Sequence, residues 1–271
     1  MNLSRFIFWF AAPARFLPLA RALVWPLRIL ALLTGIVGLF LGFGVAPPDA
    51  VQGDAYRIMY LHVPVSWVAM FAYALMAFWS FVGLVWRTRL SHLLAHALAP
   101  TGAVYAALSL ITGALWGQPM WGTWWVWDAR LTSSLLLLLL FLGYLALQGA
   151  IDDPQRSDRA CAVLALLGAL NLPVMYFSVQ WWNTLHQGAS IKPGSASMAP
   201  VMLTALLLCS VAAWAWAAAT VLRRVQLLIA EREAHTRWLR AIQFQDEALA
   251  GGTADAPAGL PNAAQKEAVH V

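Results

Sequence analysis

The chain has 271 residues, of which 61% are hydrophobic and only 11% charged, and its mean hydropathy is +0.68. A soluble domain carries about 25% charged residues, so a water-soluble fold is excluded and a polytopic membrane protein is indicated. The net charge of +5 comes from arginines crowded at one set of span ends, which speaks for anionic lipid rather than nucleic acid as the basic surface's neighbour.

In chain order, residues 1–26 form an N-terminal arm with Arg5, Arg15 and Arg21, interrupted by Pro13, Pro18 and Pro26. No clean apolar run precedes a cleavage site, so the first span is expected to stay as a signal anchor. Six apolar stretches follow, each long enough for a hydrocarbon core that takes roughly 20 residues. They run from about Leu27 to Val45, Val63 to Trp86, Leu93 to Trp116, Leu131 to Ala150, Cys161 to Gln180 and Met198 to Leu222. Backbone polar groups in lipid must be satisfied within the segment, and stretches this long and uniformly apolar fit helices, not barrel strands. The expected fold is therefore an all-α integral membrane protein, a six-transmembrane helix bundle spanning residues 27–222. Beyond it, Val225, Leu228, Ile229, Trp238, Leu239 and Ile242 recur at near-helical spacing, which predicts an amphipathic tail helix over residues 223–250. Residues 251–271 have the composition of a disordered end.

Fourteen of the 17 Lys and Arg fall in the N-terminal arm to Arg28, the second-to-third and fourth-to-fifth connections, and the tail. Arg57, Arg130 and Lys192 lie on the other side. The positive-inside rule then puts both termini in the cytoplasm and the connections 46–62, 117–130 and 181–197 on the outer face. Cys161 and Cys209 sit inside spans and form no C-x-x-C pair, which sets thiol chemistry and covalent haem attachment aside. A G-x-x-x-x-G-K phosphate loop is also absent, so nucleotide hydrolysis by that route is not expected.

The outer connections hold the residues with chemistry. "RIMYLHVPVSW" and "WWNTLHQGAS" deliver His62 and His186, whereas His92, His96, His235 and His270 belong to the opposite side, about 30 Å away across a span. Alone, each of the pair could be an interfacial polar residue or a loop group bonded to backbone. Together they are what a six-coordinate haem iron can take as axial ligands. Between them lies "WGTWWVWDARLTS". If "WGTWWVWD" is helical, Trp121, Trp124, Trp125 and Asp128 share a stripe and Arg130 points away from it. The indoles could stack on a flat macrocycle, or form an aromatic belt where helices leave a bilayer. Asp128 could equally be the N-cap of the fourth helix. Arg130 could pair with Asp128 or hold a carboxylate such as a haem propionate, for which Arg57 is a second candidate. Asn183 and Gln187 could orient His186.

With "YLHVPVSW" before it and "WWNTLHQGAS" after it, "WGTWWVWDARLT" resembles the tryptophan-rich signature of the WWD haem-handling proteins of cytochrome c biogenesis. The six spans make the chain similar to one branch of them, the CcmC family, named haem exporter or haem-handling protein C. The resemblance runs from about Arg28 to Leu222, and the tail lies outside it. It implies a protein that is not an enzyme, holds non-covalent haem b at the periplasmic face of the bacterial inner membrane, and loads it onto the haem chaperone CcmE. It also implies CcmD and the ABC-type pair CcmA and CcmB as partners, with ATP hydrolysis supplied by the latter. His62 and His186 would be the axial ligands. Trp121, Trp124, Trp125, Trp127, Asp128 and Arg130 would form the haem platform and the docking surface for CcmE.

Two other classes compete. A b-type cytochrome or quinone-linked electron-transfer subunit would bury its histidines between helices, while here the pair sits at outer helix ends. The permease subunit of an ABC transporter would need an inner coupling helix, for which the short inner loops leave little room, though the tail helix could serve.

Overall fold

The computed structural model of the chain describes residues 12–186, 191–192 and 195–250. Arg5, Gln187, Lys266 and the segment 251–271 lie outside the described residues. The architecture is helical: α1 (Pro13–Leu39), α2 (Met59–Trp86), α3 (Arg89–Trp121), α4 (Ala129–Ala150), α5 (Pro154–Gly168), α6 (Asn171–Trp181), α7 (Pro200–Arg232) and α8 (Arg237–Ala250). Ile191–Lys192 and Ser195–Ala196 form a two-residue antiparallel pair between α6 and α7. Among the described residues, six segments are long and apolar enough to cross a membrane: Pro13–Val45, Asp54–Trp86, Arg89–Trp121, Ala129–Ala150, Pro154–Trp181 and Pro200–Arg232.

Local chemistry sets the boundaries. Prolines open α1, α5 and α7 in the first turn, where the missing N–H has no intrahelical acceptor to lose. Asp153 caps α5 by accepting from Arg156 N at 2.7 Å. The helix that carries the first span begins at Pro13 rather than Leu27, because Pro18 and Pro26 are carried inside it without ending it. The fifth span is two helices, since Pro173 gives no hydrogen bond to Ala169 and the chain turns at Ala169–Leu170. The tail helix is likewise split. α7 runs on to Arg232, and a turn at Glu233–Thr236, in which Thr236 Oγ1 donates to Glu233 O, separates it from α8.

Close packing relies on small residues at helix crossings. A Cβ on Gly38 of α1 would lie 2.8 Å from Cys209 Sγ of α7, and one on Gly102 of α3 would fall inside the Phe141 ring of α4. The central core gathers Tyr73, Met76, Leu93, Leu137, Phe141 and Tyr144, all almost fully buried.

The arginine-rich end is tied by a charged network. His96 Nε2 meets Asp158 Oδ1 at 2.6 Å, Arg232 donates to Asp158 Oδ2 at 2.8 Å, and Tyr144 OH contacts His96 Nδ1 at 3.2 Å. Arg89 and the buried Glu233 pair at 3.3 Å. Asp158 and Glu233 are enclosed and hold their charges only while paired, so the network fixes the last turn of α7 to α3 and α5.

A second, smaller cluster at the opposite end packs Tyr56, Met59 and Tyr60 against Met202 and Leu206. Tyr56 OH donates to Pro47 O at 2.8 Å, which anchors the loop between α1 and α2. Between that end and the core, α6 packs along α4 and leaves open space toward α2, α3 and α7.

Candidate functional site: a tryptophan-lined cavity with two histidines

The open space is a cavity of about 880 Å³. That is within the roughly 300–1,000 Å³ range of small-molecule and cofactor sites. His62 and His186 both line it, and their ring centroids are 6.4 Å apart with 41° between the ring planes. His62 stands in the first turn of α2 and His186 in the connection after α6, so residues 124 positions apart in sequence meet here. His62 Nδ1 is hydrogen-bonded to Thr112 Oγ1 at 3.1 Å, and its ring packs edge-on against Trp116, with centroids 5.7 Å apart. Trp116 in turn donates from Nε1 to Gln52 Oε1 at 3.1 Å, which fastens the α1–α2 loop over the site.

Metal–imidazole bonds are about 2.0–2.1 Å, and a ring nitrogen lies about 1.1 Å from its centroid, so two imidazoles on opposite sides of one metal put their centroids about 6.2–6.4 Å apart. The observed spacing fits that arrangement. Among the described residues no group of three or more His, Cys, Asp or Glu comes together to hold a metal ion. Two imidazoles therefore suit a metal whose other ligands arrive with it, as in a macrocycle.

The tryptophan loop is not helical. α3 ends at Trp121, and Gly122 follows at φ 72°, the left-handed position that stops a helix. Thr123 Oγ1 then donates to Trp125 O at 3.0 Å, a local bond that competes with helical pairing. Asp128 is extended and accepts from Leu131 N at 2.7 Å, so it is the N-cap of α4. A cap residue has non-helical backbone, which is why a stripe of Trp121, Trp124, Trp125 and Asp128 cannot form. The stripe from which Arg130 would have pointed away is therefore absent. As the second residue of α4, Arg130 lines the cavity, with NH1 donating to Met175 O at 2.7 Å.

The sequence-derived site residues divide cleanly. Trp121, Trp124, Trp125 and Arg130 line the cavity with the two histidines. Trp127 does not; it is 77% exposed and stands edge-on to Trp125 with centroids 5.4 Å apart. Asp128 is also off the cavity wall. Arg57 is spent elsewhere: it donates to Asp54 Oδ1 at 2.8 Å, to Ala46 O at 2.9 Å and to Gly42 O, closing the carbonyl end of the first span. Asn183 is exposed. Two buried polar atoms of the loop, Trp125 Nε1 and Asp128 Oδ2, have no hydrogen-bond partner among the described residues.

Sequence reasoning missed Trp116, Ser109, Thr112 and Gly113 on α3. They recur at i, i+3, i+4 and i+7 near the end of an otherwise apolar span, a spacing that small and hydroxylated residues also show where helices merely pack.

Among the described residues, six membrane-length helices around a cavity lined by indoles, Arg130 and two imidazoles mark a multi-pass membrane protein with an internal cavity. Residues 6–240 match the family described as heme exporter protein C, CcmC. The heme exporter protein C of Escherichia coli strain K12 is 45% identical over 218 residues, covering 79% of this chain and 86% of that protein. That of Bradyrhizobium diazoefficiens is 50% identical over 204 residues, covering 74% and 77%. The Haemophilus influenzae protein of the same name is 44% identical over 210 residues, covering 76% and 84%. The chain belongs to the CcmC family, and the match continues past α7 into α8.

Proposed function

We propose that this chain receives haem b between His62 and His186 at the periplasmic face of the inner membrane and passes it to the haem chaperone CcmE for cytochrome c maturation. The observation that carries the reading is the imidazole pair, 6.4 Å apart on the wall of an 880 Å³ cavity. The relatives' shared name, heme exporter protein C, points the same way.

Haem is the cargo, and the chain's residues bind it and let it go. His62 and His186 supply the two axial nitrogens. Trp121, Trp124 and Trp125 offer ring faces and edges to the macrocycle, each good aromatic contact contributing about 0.5–1.5 kcal/mol beyond area burial. Arg130, held at the cavity wall by Met175 O, receives a propionate. The exposed Trp127 offers an indole to the approach of CcmE. Transfer requires ligands that can be exchanged, so affinity is moderate in this reading. The chain acts by holding and handing over. CcmD and the CcmA–CcmB pair are the partners of the same assembly, and the latter supplies ATP hydrolysis. Both termini are cytoplasmic in this reading, since the arginine-rich end carries most of the positive charge.

Transfer is tested by co-expressing the full chain with CcmE and its partners and staining purified CcmE for haem. Haem on CcmE with the wild-type chain, and none with His62→Ala, is the expected result. Equal loading by both contradicts the reading.

A further inference from the structure

His62 rests with its back on α3, where Ser109, Thr112, Gly113 and Trp116 share one face. Each touches the histidine or its turn. A Cβ on Gly113 would lie 3.0 Å from His62 Cε1, so only a glycine leaves the ring its full room. Ser66 Oγ donates to His62 O at 2.7 Å and is itself 2.6 Å from Ser109 Oγ, which must then be the donor of that pair. Thr112 lies behind the ring, off the cavity wall.

The Thr112 hydroxyl has a single hydrogen. It is donated to Leu108 O at 2.7 Å, with Ser109 O a longer second acceptor at 3.3 Å. The 3.1 Å contact with His62 Nδ1 is then left with one polarity, in which the imidazole N–H donates and the hydroxyl oxygen accepts. A neutral imidazole protonated on Nδ1 carries its lone pair on Nε2.

We propose that Thr112 is a positioning residue for the haem site: its hydroxyl holds His62 in the Nδ1–H tautomer, so that Nε2 is the coordinating atom, while Gly113 and Trp116 fix the ring plane. The proposal rests on the reading of His62 as an axial ligand. A neutral hydroxyl orients the ring without the added basicity that a carboxylate acceptor confers on a metal-bound histidine. That suits a ligand which must release its cargo.

The test uses the purified full chain with Thr112→Val, which removes the acceptor, and Thr112→Ser, which restores it. Histidine-selective ¹⁵N NMR of the haem-free protein reads the tautomer directly. Wild type and Thr112→Ser should show His62 protonated on Nδ1. Thr112→Val should shift it toward the Nε2–H form that an unconstrained imidazole favours. In the haem-loaded protein Thr112→Val should lose haem to an excess of apomyoglobin about tenfold faster, the low end of the usual effect of such orienting groups, with Thr112→Ser restoring the rate. His62 on Nε2–H in the wild type overturns the proposal. So does a Thr112→Val protein unchanged in both tautomer and haem loss, or a Thr112→Ser protein that behaves like Thr112→Val. If His62→Ala leaves haem binding unaltered, the ligand reading fails instead, and the NMR experiment still decides the tautomer.

Discussion

His62 on α2 packs against α3, His96 on α3 packs against α4 and α5 at the opposite end of the bundle, and the two are built differently. His96 has both ring nitrogens engaged, Nδ1 by Tyr144 OH and Nε2 by Asp158, and Asp158 is shared with Arg232. His62 has Nδ1 engaged by a neutral hydroxyl and borders a cavity. The same side chain is closed at one end and open at the other. A histidine with both nitrogens satisfied inside the protein serves the architecture, and one with a nitrogen left over next to empty space is equipped to ligate. The partners differ in the same sense: carboxylates and arginines lock the His96 end, and hydroxyls, indoles and one arginine surround His62.

Exchanging the roles of the two ends is the strongest way to break that contrast. His186→Ala removes the second imidazole from the cavity, and haem occupancy after purification should fall to background while the protein's thermal midpoint in detergent stays unchanged. Asp158→Ala at the other end should do the reverse. It leaves Arg232 and His96 without their shared acceptor, so stability should drop by about 3–5 kcal/mol in thermal or denaturant melts, as when one partner of an enclosed pair is lost. Haem spectra of the surviving folded protein should be those of wild type.

Smaller changes sharpen the comparison. Gly113→Ala forces a methyl against His62 Cε1 and should cost about 1–3 kcal/mol at the ligand, seen as faster haem loss. Asp128→Ala should cost about 1 kcal/mol of stability through the lost cap, and Asp128→Asn should recover it because the amide oxygen can still accept from Leu131 N. If CcmE loading falls equally with Asn and Ala, Asp128 acts through its charge at the docking surface. If Asn rescues loading as well, it acts as a cap.

Hydrophobic run length made the six spans legible, because nothing but a helix satisfies so long an apolar backbone in lipid. The meeting of His62 and His186 was also legible, since topology left each no other histidine to meet. The tryptophan loop was not. A helix there would have aligned four residues on one stripe, but Gly122 ends α3 and Asp128 caps α4, and both carry non-helical backbone. Arg57 and Arg130 looked equivalent in sequence. Only the fold shows that one closes the carbonyl end of the first span and the other reaches the cavity. The Ser109, Thr112, Gly113 and Trp116 face was hidden for another reason: small and hydroxylated residues inside a span read as packing until a histidine is seen resting on them.

The most direct measurement is an absorption spectrum with a pyridine haemochrome assay on the detergent-purified full chain, comparing wild type with His62→Ala and His186→Ala. The account requires non-covalent b-type haem in the wild type, with low-spin bis-histidine bands that each substitution abolishes or converts to another ligation state. A wild-type protein without haem, or alanine variants with unaltered spectra, would contradict it and return the imidazole pair and the tryptophan loop to a structural role.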